Sequence, residues 1–145
     1  GESVQIDRKL TKTGKYTIRV RDYAIGVALY ALSFSQLSQG GGKAISPGTS
    51  VQGQLKFAGE VHWYIFDAKA GDSVYLVLTE GVKGSPMLPR LGLLGPDGAA
   101  VNENWSDEAV QIDRKLTQTG RYTIRVRDYS LGTGPYVLSF NMLSQ

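Results

Sequence analysis

Residues 4–23 read VQIDRKLTKTGKYTIRVRDY, and residues 110–129 read VQIDRKLTQTGRYTIRVRDY. The likeness extends well past these words. Aligned without a gap, residues 2–39 and 108–145 agree at 27 of 38 positions. Residues 51–107 have no second copy. If the unique stretch is segment A and the repeated stretch segment B, the chain reads B–A–B. Two near-identical sequences must therefore fold against one complement. The simplest parent is a tandem array of A–B units, of which the chain holds one whole unit and the tail of the unit before. The expected organisation is a partial repeat over residues 1–39, a linker at 40–42 (Gly-Gly-Gly), and a complete domain over 43–145. A unit of about a hundred residues is of ordinary domain size and too long for a solenoid repeat, so separate beads are expected.

The local patterns are those of strands. In the run YTIRVR at 122–127 apolar and polar residues alternate: Tyr122, Ile124 and Val126 share one face, and Thr123, Arg125 and Arg127 the other. Tyr136, Leu138 and Phe140 repeat the pattern, as do Val74, Leu76 and Leu78 with Tyr75 and Val77 opposite. Turn residues separate the runs, as in Ala70-Gly71-Asp72, Gly95-Pro96-Asp97-Gly98 and Thr119-Gly120. No segment carries a helical apolar stripe. About eight short strands per unit predict an all-β fold, an antiparallel β-sandwich of jelly-roll-like type, with one complete domain and an N-terminal half-domain repeat.

The unit 43–145 resembles the bacterial pre-peptidase C-terminal domain family, as a tandem-repeat member. The matching words are AISPGTSVQGQL at 44–55, EVHWYIF at 60–66 followed by AGDSV at 70–74, LLGPDG at 93–98, TGRYTIRV at 119–126, and GPYVLSF at 134–140. Each is weak alone; their order is what carries the resemblance. It implies a jelly-roll-like sandwich and a non-catalytic module of a larger secreted protein, serving as spacer, adhesion element or substrate-targeting element. Some members of the family bind calcium, and some relatives bind collagen or other polymers.

Several chemistries find little support. There is no cysteine, hence no disulfide frame and no thiolate metal site. The single histidine, His62, sits inside an alternating strand, where a structural role is expected; one histidine makes neither a zinc set nor a triad without a G-x-S-x-G word. No pair of carboxylates stands out as a glycosidase acid and nucleophile, although a fragment of a secreted hydrolase is one alternative. Asp128 and its copy Asp22 follow arginine-rich strands, where an aspartate caps a turn. Asp113 and Asp7 are the other repeated pair. The run Asn102-Glu103-Asn104-Trp105-Ser106-Asp107-Glu108 reads as a solvated loop, with a calcium site of Asn102, Glu103, Asn104 and Asp107 as the sharper alternative. No other cofactor is expected.

The net charge of +3 is too small to indicate nucleic acid by itself. The basic residues are nonetheless patterned. Arg125 and Arg127 share a strand face, Arg121 opens that strand, and Arg114 and Lys115 lie on the strand before it. If those two strands were neighbours, they would form one basic stripe able to meet a polyanion. Trp63 points away from Tyr64 and is a candidate platform for a sugar or a protein. Trp63, Arg125 and Arg127 are thus the candidate ligand-binding residues. The ligand would be a polysaccharide or an extracellular protein, and the location secreted, extracellular or periplasmic. No apolar run reaches membrane-spanning length, so no membrane insertion is expected.

The spare copy remains. Tyr16, Ile18, Val20, Tyr30, Leu32 and Phe34 predict a second apolar face with no complement in the chain. Three outcomes are open: disorder, displacement of the second copy, or pairing with the spare copy of another chain. The expectation is a homodimer through residues 1–39, two half-sandwiches closing about a two-fold axis.

Overall fold

A computed structural model describes residues 3–37 and 41–144. It divides the chain into two compact units, Gly1–Leu32 and Ser33–Gln145. Among the described residues all the strands lie in the second. In chain order they are β1 (Lys43–Ala44), β2 (Thr49–Leu55), β3 (His62–Ala68), β4 (Ser73–Glu80), β5 (Pro89–Leu94), β6 (Ala100–Trp105), β7 (Ala109–Lys115), β8 (Gly120–Asp128) and β9 (Gly134–Leu143). They form a sandwich of a five-stranded sheet, β1-β3-β8-β5-β6, and a four-stranded sheet, β2-β9-β4-β7. The all-β sandwich expected from the alternation is the observed fold. It differs from an all-antiparallel one in the two-residue β1, which runs parallel to β3.

Period two decides what is buried. On β8, Tyr122, Ile124 and Val126 are no more than 1% exposed, and on β9 Tyr136, Leu138 and Phe140 are fully buried. Val74, Leu76 and Leu78 of β4 and Leu91 and Leu93 of β5 complete the interior. Phe66 packs between Tyr122, its ring stacked at 5.6 Å, and Phe140, tilted at 4.6 Å. A large aromatic from each sheet thus meets at mid-core, where such pairs add to the apolar burial.

Turns follow the chemistry read from the sequence. Asp128 is 4% exposed. Its carboxylate accepts the backbone N–H groups of Ser130 and Gly132, both at 2.7 Å, and of Leu88 at 2.6 Å. The Tyr122 hydroxyl donates to the Gln118 carbonyl at 2.7 Å, tying the head of β8 to the preceding loop.

The three strands of segment B are not neighbours. β7 pairs with β4, β8 lies between β3 and β5, and β9 lies between β2 and β4. No strand of segment B therefore pairs with another strand of segment B. One correction follows. The basic stripe expected from adjacent β7 and β8 does not form, since those strands lie in different sheets.

The same fact explains the first copy. Among residues 3–37 no strand is present, and residues 3–36 are exposed throughout. Tyr23 and Leu29 are entirely exposed, and Tyr16 is 53% exposed where its counterpart Tyr122 is 1%. Strand propensity is a fit to a pleated, half-buried surface, and without segment A that surface is missing. Local structure survives where it needs no partner. The Tyr16 hydroxyl donates to the Lys12 carbonyl at 2.6 Å, and Asp22 accepts the Ala24 and Gly26 N–H groups at 2.6 and 2.7 Å. These bonds, that of Gly26 foremost, hold the Asp22 carboxyl below the usual range. Ile25 and Leu131 share φ of 65°.

Candidate functional site

The outer face of the five-stranded sheet carries the polar side chains of β8. Register lays them out in rows. Trp63, Arg125, Gly92 and Glu103 lie side by side across β3, β8, β5 and β6, and the next row holds Arg127, Arg90 and Trp105. Gly92 opens the first row: a Cβ there would lie 2.7 Å from Glu103 Oε2. With no side chain in the way, the Glu103 carboxylate reaches over Gly92 to Arg125. It also accepts Arg90 Nε at 2.7 Å and Arg127 Nη2 at 2.8 Å. Burial by itself would raise the Glu103 carboxyl. The hydrogen bond and charge of Arg125, then those of Arg127, outweigh it and hold the group down to about 2.

Beside this cluster the face ends in aromatic rings. Trp105 and Tyr129 stack with centroids 4.0 Å apart and planes 15° from parallel. The Arg90 guanidinium lies 5.8 Å from the Tyr129 centroid. Both rings stay open to solvent, Trp105 47% and Tyr129 43% exposed. Glu103 fixes Arg90, Arg90 covers Tyr129, and Tyr129 supports Trp105. The rings and the guanidinium are therefore held in place without a ligand.

The candidates read from sequence fall into place unevenly. Trp63, Arg125 and Arg127 do share this face, with Arg125 Cζ 6.0 Å from the Trp63 ring. Trp63 is half-buried, and its indole N–H donates to Ser35 Oγ at 3.3 Å. Trp105 is the more open platform. The residues considered for calcium do not converge. The run is not a loop up to Trp105 but strand β6, and Glu103 is on the outer face under its arginines. Asn102 and Asn104 pair with Leu93 and Leu91, which face inward, and Asp107 lies beyond the strand, bonded to Ser106. These residues do not fit a calcium shell. Among the described residues no group of three or more His, Asp or Glu side chains could hold a metal ion.

Arg90 and Tyr129 were not singled out by sequence reasoning. Arg90 stands alone between Pro89 and Leu91 in a run without clear alternation, and only the β5–β8 register puts it beside Arg127.

A second polar cluster lies at the opposite edge of the core. Glu60 Oε1 and His62 Nε2 are 3.0 Å apart, His62 Nδ1 and the Tyr136 hydroxyl 2.5 Å, and the Tyr136 and Tyr64 hydroxyls 2.6 Å. It borders a hollow of about 430 Å³. Gly53 makes room for the Tyr136 phenol, since a Cβ there would collide with that ring. Burial, then the hydrogen bond shared with Tyr64, pushes the Tyr136 hydroxyl far above its usual range. A phenol kept protonated in this way can donate and accept hydrogen bonds but is poorly matched to nucleophilic or base chemistry. His62 is a part-buried link in this hydrogen-bonded chain.

No protein-family model matches the chain, and no curated protein sequence matches it. Solved structures do share the fold. One is a periplasmic lysozyme inhibitor of g-type lysozyme, PliG of Aeromonas hydrophila: TM-score 0.54, 17% identity, covering 70% of this chain and 95% of the other. Another is the pre-peptidase C-terminal domain of a collagenase from Bacillus anthracis: TM-score 0.53, 19% identity, with the same coverage of 70% and 95%. At these identities the likeness is one of fold. It agrees with the sandwich expected from the ordered sequence words.

Proposed function

We propose that the chain is a non-catalytic binding module of an extracytoplasmic protein, akin to the pre-peptidase C-terminal domains. In this reading its platform of Trp105, Tyr129 and Arg90 takes an acidic glycan. The observation that carries the reading is the ordered, solvent-open stack of guanidinium, phenol and indole at the edge of the arginine-bearing face. An indole face suits the C–H face of a sugar ring, and a guanidinium suits a carboxylate or sulfate on it. Glu103 is committed to arginines and Tyr136 is held protonated, which favours binding over acid–base catalysis. The extracytoplasmic location draws on the two fold relatives, one periplasmic and one a domain of a collagenase. A protein ligand is the second reading, because one of those relatives is an inhibitor of a protein.

The test is a fluorescence titration with oligogalacturonate beside a neutral oligoglucoside of equal length. The expected result is saturable binding of the acidic sugar, weakened by salt, lost in Trp105→Ala and reduced at least tenfold in Arg90→Ala. Undiminished binding in Trp105→Ala, or no binding of the acidic sugar, overturns the reading.

A further inference from the structure

The two copies of segment B differ at eleven aligned positions, and in the second copy none of the eleven is buried. Every buried side chain that copy contributes has its identical counterpart in the first. Tyr16, Ile18, Val20, Tyr30, Leu32 and Phe34 stand where Tyr122, Ile124, Val126, Tyr136, Leu138 and Phe140 fill the core. The buried polar groups agree as well: Arg19 for Arg125 and Asp22 for Asp128. The first copy also already holds the tyrosine and aspartate hydrogen bonds of the second.

We propose that the two copies are interchangeable occupants of one site. Residues 4–37 enter the sandwich in place of residues 110–143, and the second copy is released in its turn. Segment A offers the acceptor, the gaps between β3 and β5 and between β2 and β4 with the free side of β4. The connection closes. β2 begins beside the end of β9, with Thr49 opposite Phe140 and the Gly48 N–H bonded to the Phe140 carbonyl at 2.7 Å. In the exchanged chain Phe34 takes the place of Phe140. The six residue steps from Leu37 to Lys43 reach about 20 Å when extended, against about 10 Å between stacked sheets. A circular permutant with nearby ends is a well-tolerated rearrangement.

Two residues give the second copy its advantage. Gly134 has φ of +148°, and a Cβ there would lie 2.7 Å from Ser85 Oγ; the first copy has Ala28. Leu131 occupies the left-handed region that β-branched residues resist most, where the first copy has Ile25. The glycan platform survives exchange, because Arg90, Glu103 and Trp105 belong to segment A while Arg19, Arg21 and Tyr23 replace Arg125, Arg127 and Tyr129.

The chain has no cysteine, so paired cysteine substitutions report the register. Ser50 and Ser139 oxygens lie 3.0 Å apart across β2 and β9, and Ser33 is the counterpart of Ser139. The full-length chain is oxidised as Ser50→Cys/Ser139→Cys and as Ser50→Cys/Ser33→Cys, then mapped with trypsin. The first pair should close rapidly. The second should close within monomers, more slowly, and about tenfold faster when Ala28→Gly is added, a change outside the resident fold. Tryptic protection should then pass from Arg125 and Arg127 to Arg19 and Arg21. If the disulfide between positions 33 and 50 does not form within monomers, or forms with Arg125 and Arg127 still protected, the proposal fails. Gly134→Ala, which handicaps the resident copy, should accelerate closure further; slower closure in it counts against the proposal.

Discussion

Replacing Glu103 by glutamine takes the charge out of a site where one carboxylate meets three guanidiniums. Its carboxyl is lowered from 4.5 to about 2. At ~1.4 kcal/mol per unit, that shift corresponds to ~3 kcal/mol of folding free energy before screening. The site is at the sheet surface, so solvent reduces this to about 2 kcal/mol. The sign follows from the depressed value: the stabilisation is complete above the unfolded carboxyl's range, near 4.5, and is lost as pH falls toward about 2. Urea denaturation of the native chain and of Glu103→Gln should therefore differ by about 2 kcal/mol near neutral pH. The gap should shrink by more than half between about pH 5 and pH 2.5, because the native carboxylate is then losing its advantage. A gap below about 0.5 kcal/mol at neutral pH, or one that does not change with pH, would refute the electrostatic account of this face.

Tyr122→Ala should cost about 3–5 kcal/mol by chemical denaturation, and a cost under about 1 kcal/mol would place that ring outside the core. Gly53→Ala forces the Tyr136 phenol from its place, and we expect a loss of about 2 kcal/mol or more in thermal or urea melts. Removing residues 1–39 should leave a cooperative melt and less self-association by light scattering, since the exposed apolar side chains of the first copy go with them; a chain that no longer folds would show that residues 43–145 are not self-sufficient.

Facing was legible in the sequence because it depends only on period two. Tyr122, Ile124 and Val126 had to go one way and Arg125 and Arg127 the other, whatever the neighbouring strands. The turn-capping roles of Asp22 and Asp128 were legible for a similar reason, since those bonds reach only two and four residues along the chain, whereas the bond from Leu88 to Asp128 was not. Strand order was not legible. It is a long-range choice, and reading β7 beside β8 from their adjacency in sequence gave a basic stripe that the interleaved sheets do not allow. The acidic run around Glu103 looked like a loop because Asn and Glu are poor strand formers. It becomes an edge strand through its pairing with β5, with a register shift after Leu93. Nor could composition reveal that Gly92 and Gly53 are gaps for a carboxylate and a phenol, because each partner lies on another strand.

Hydrogen–deuterium exchange followed by mass spectrometry would show whether segment B forms strands only when threaded between strands of segment A. The two copies differ at Lys12 and Gln118 and at Lys15 and Arg121, so their peptides are separately resolved. Strong protection is expected across β8 and β9 in the second copy, and exchange near the unstructured rate over residues 16–22 and 30–36 of the first. Equal protection of both copies in the same molecules would contradict that expectation, for it would mean that the first copy has found strands to pair with outside the one segment A this chain carries.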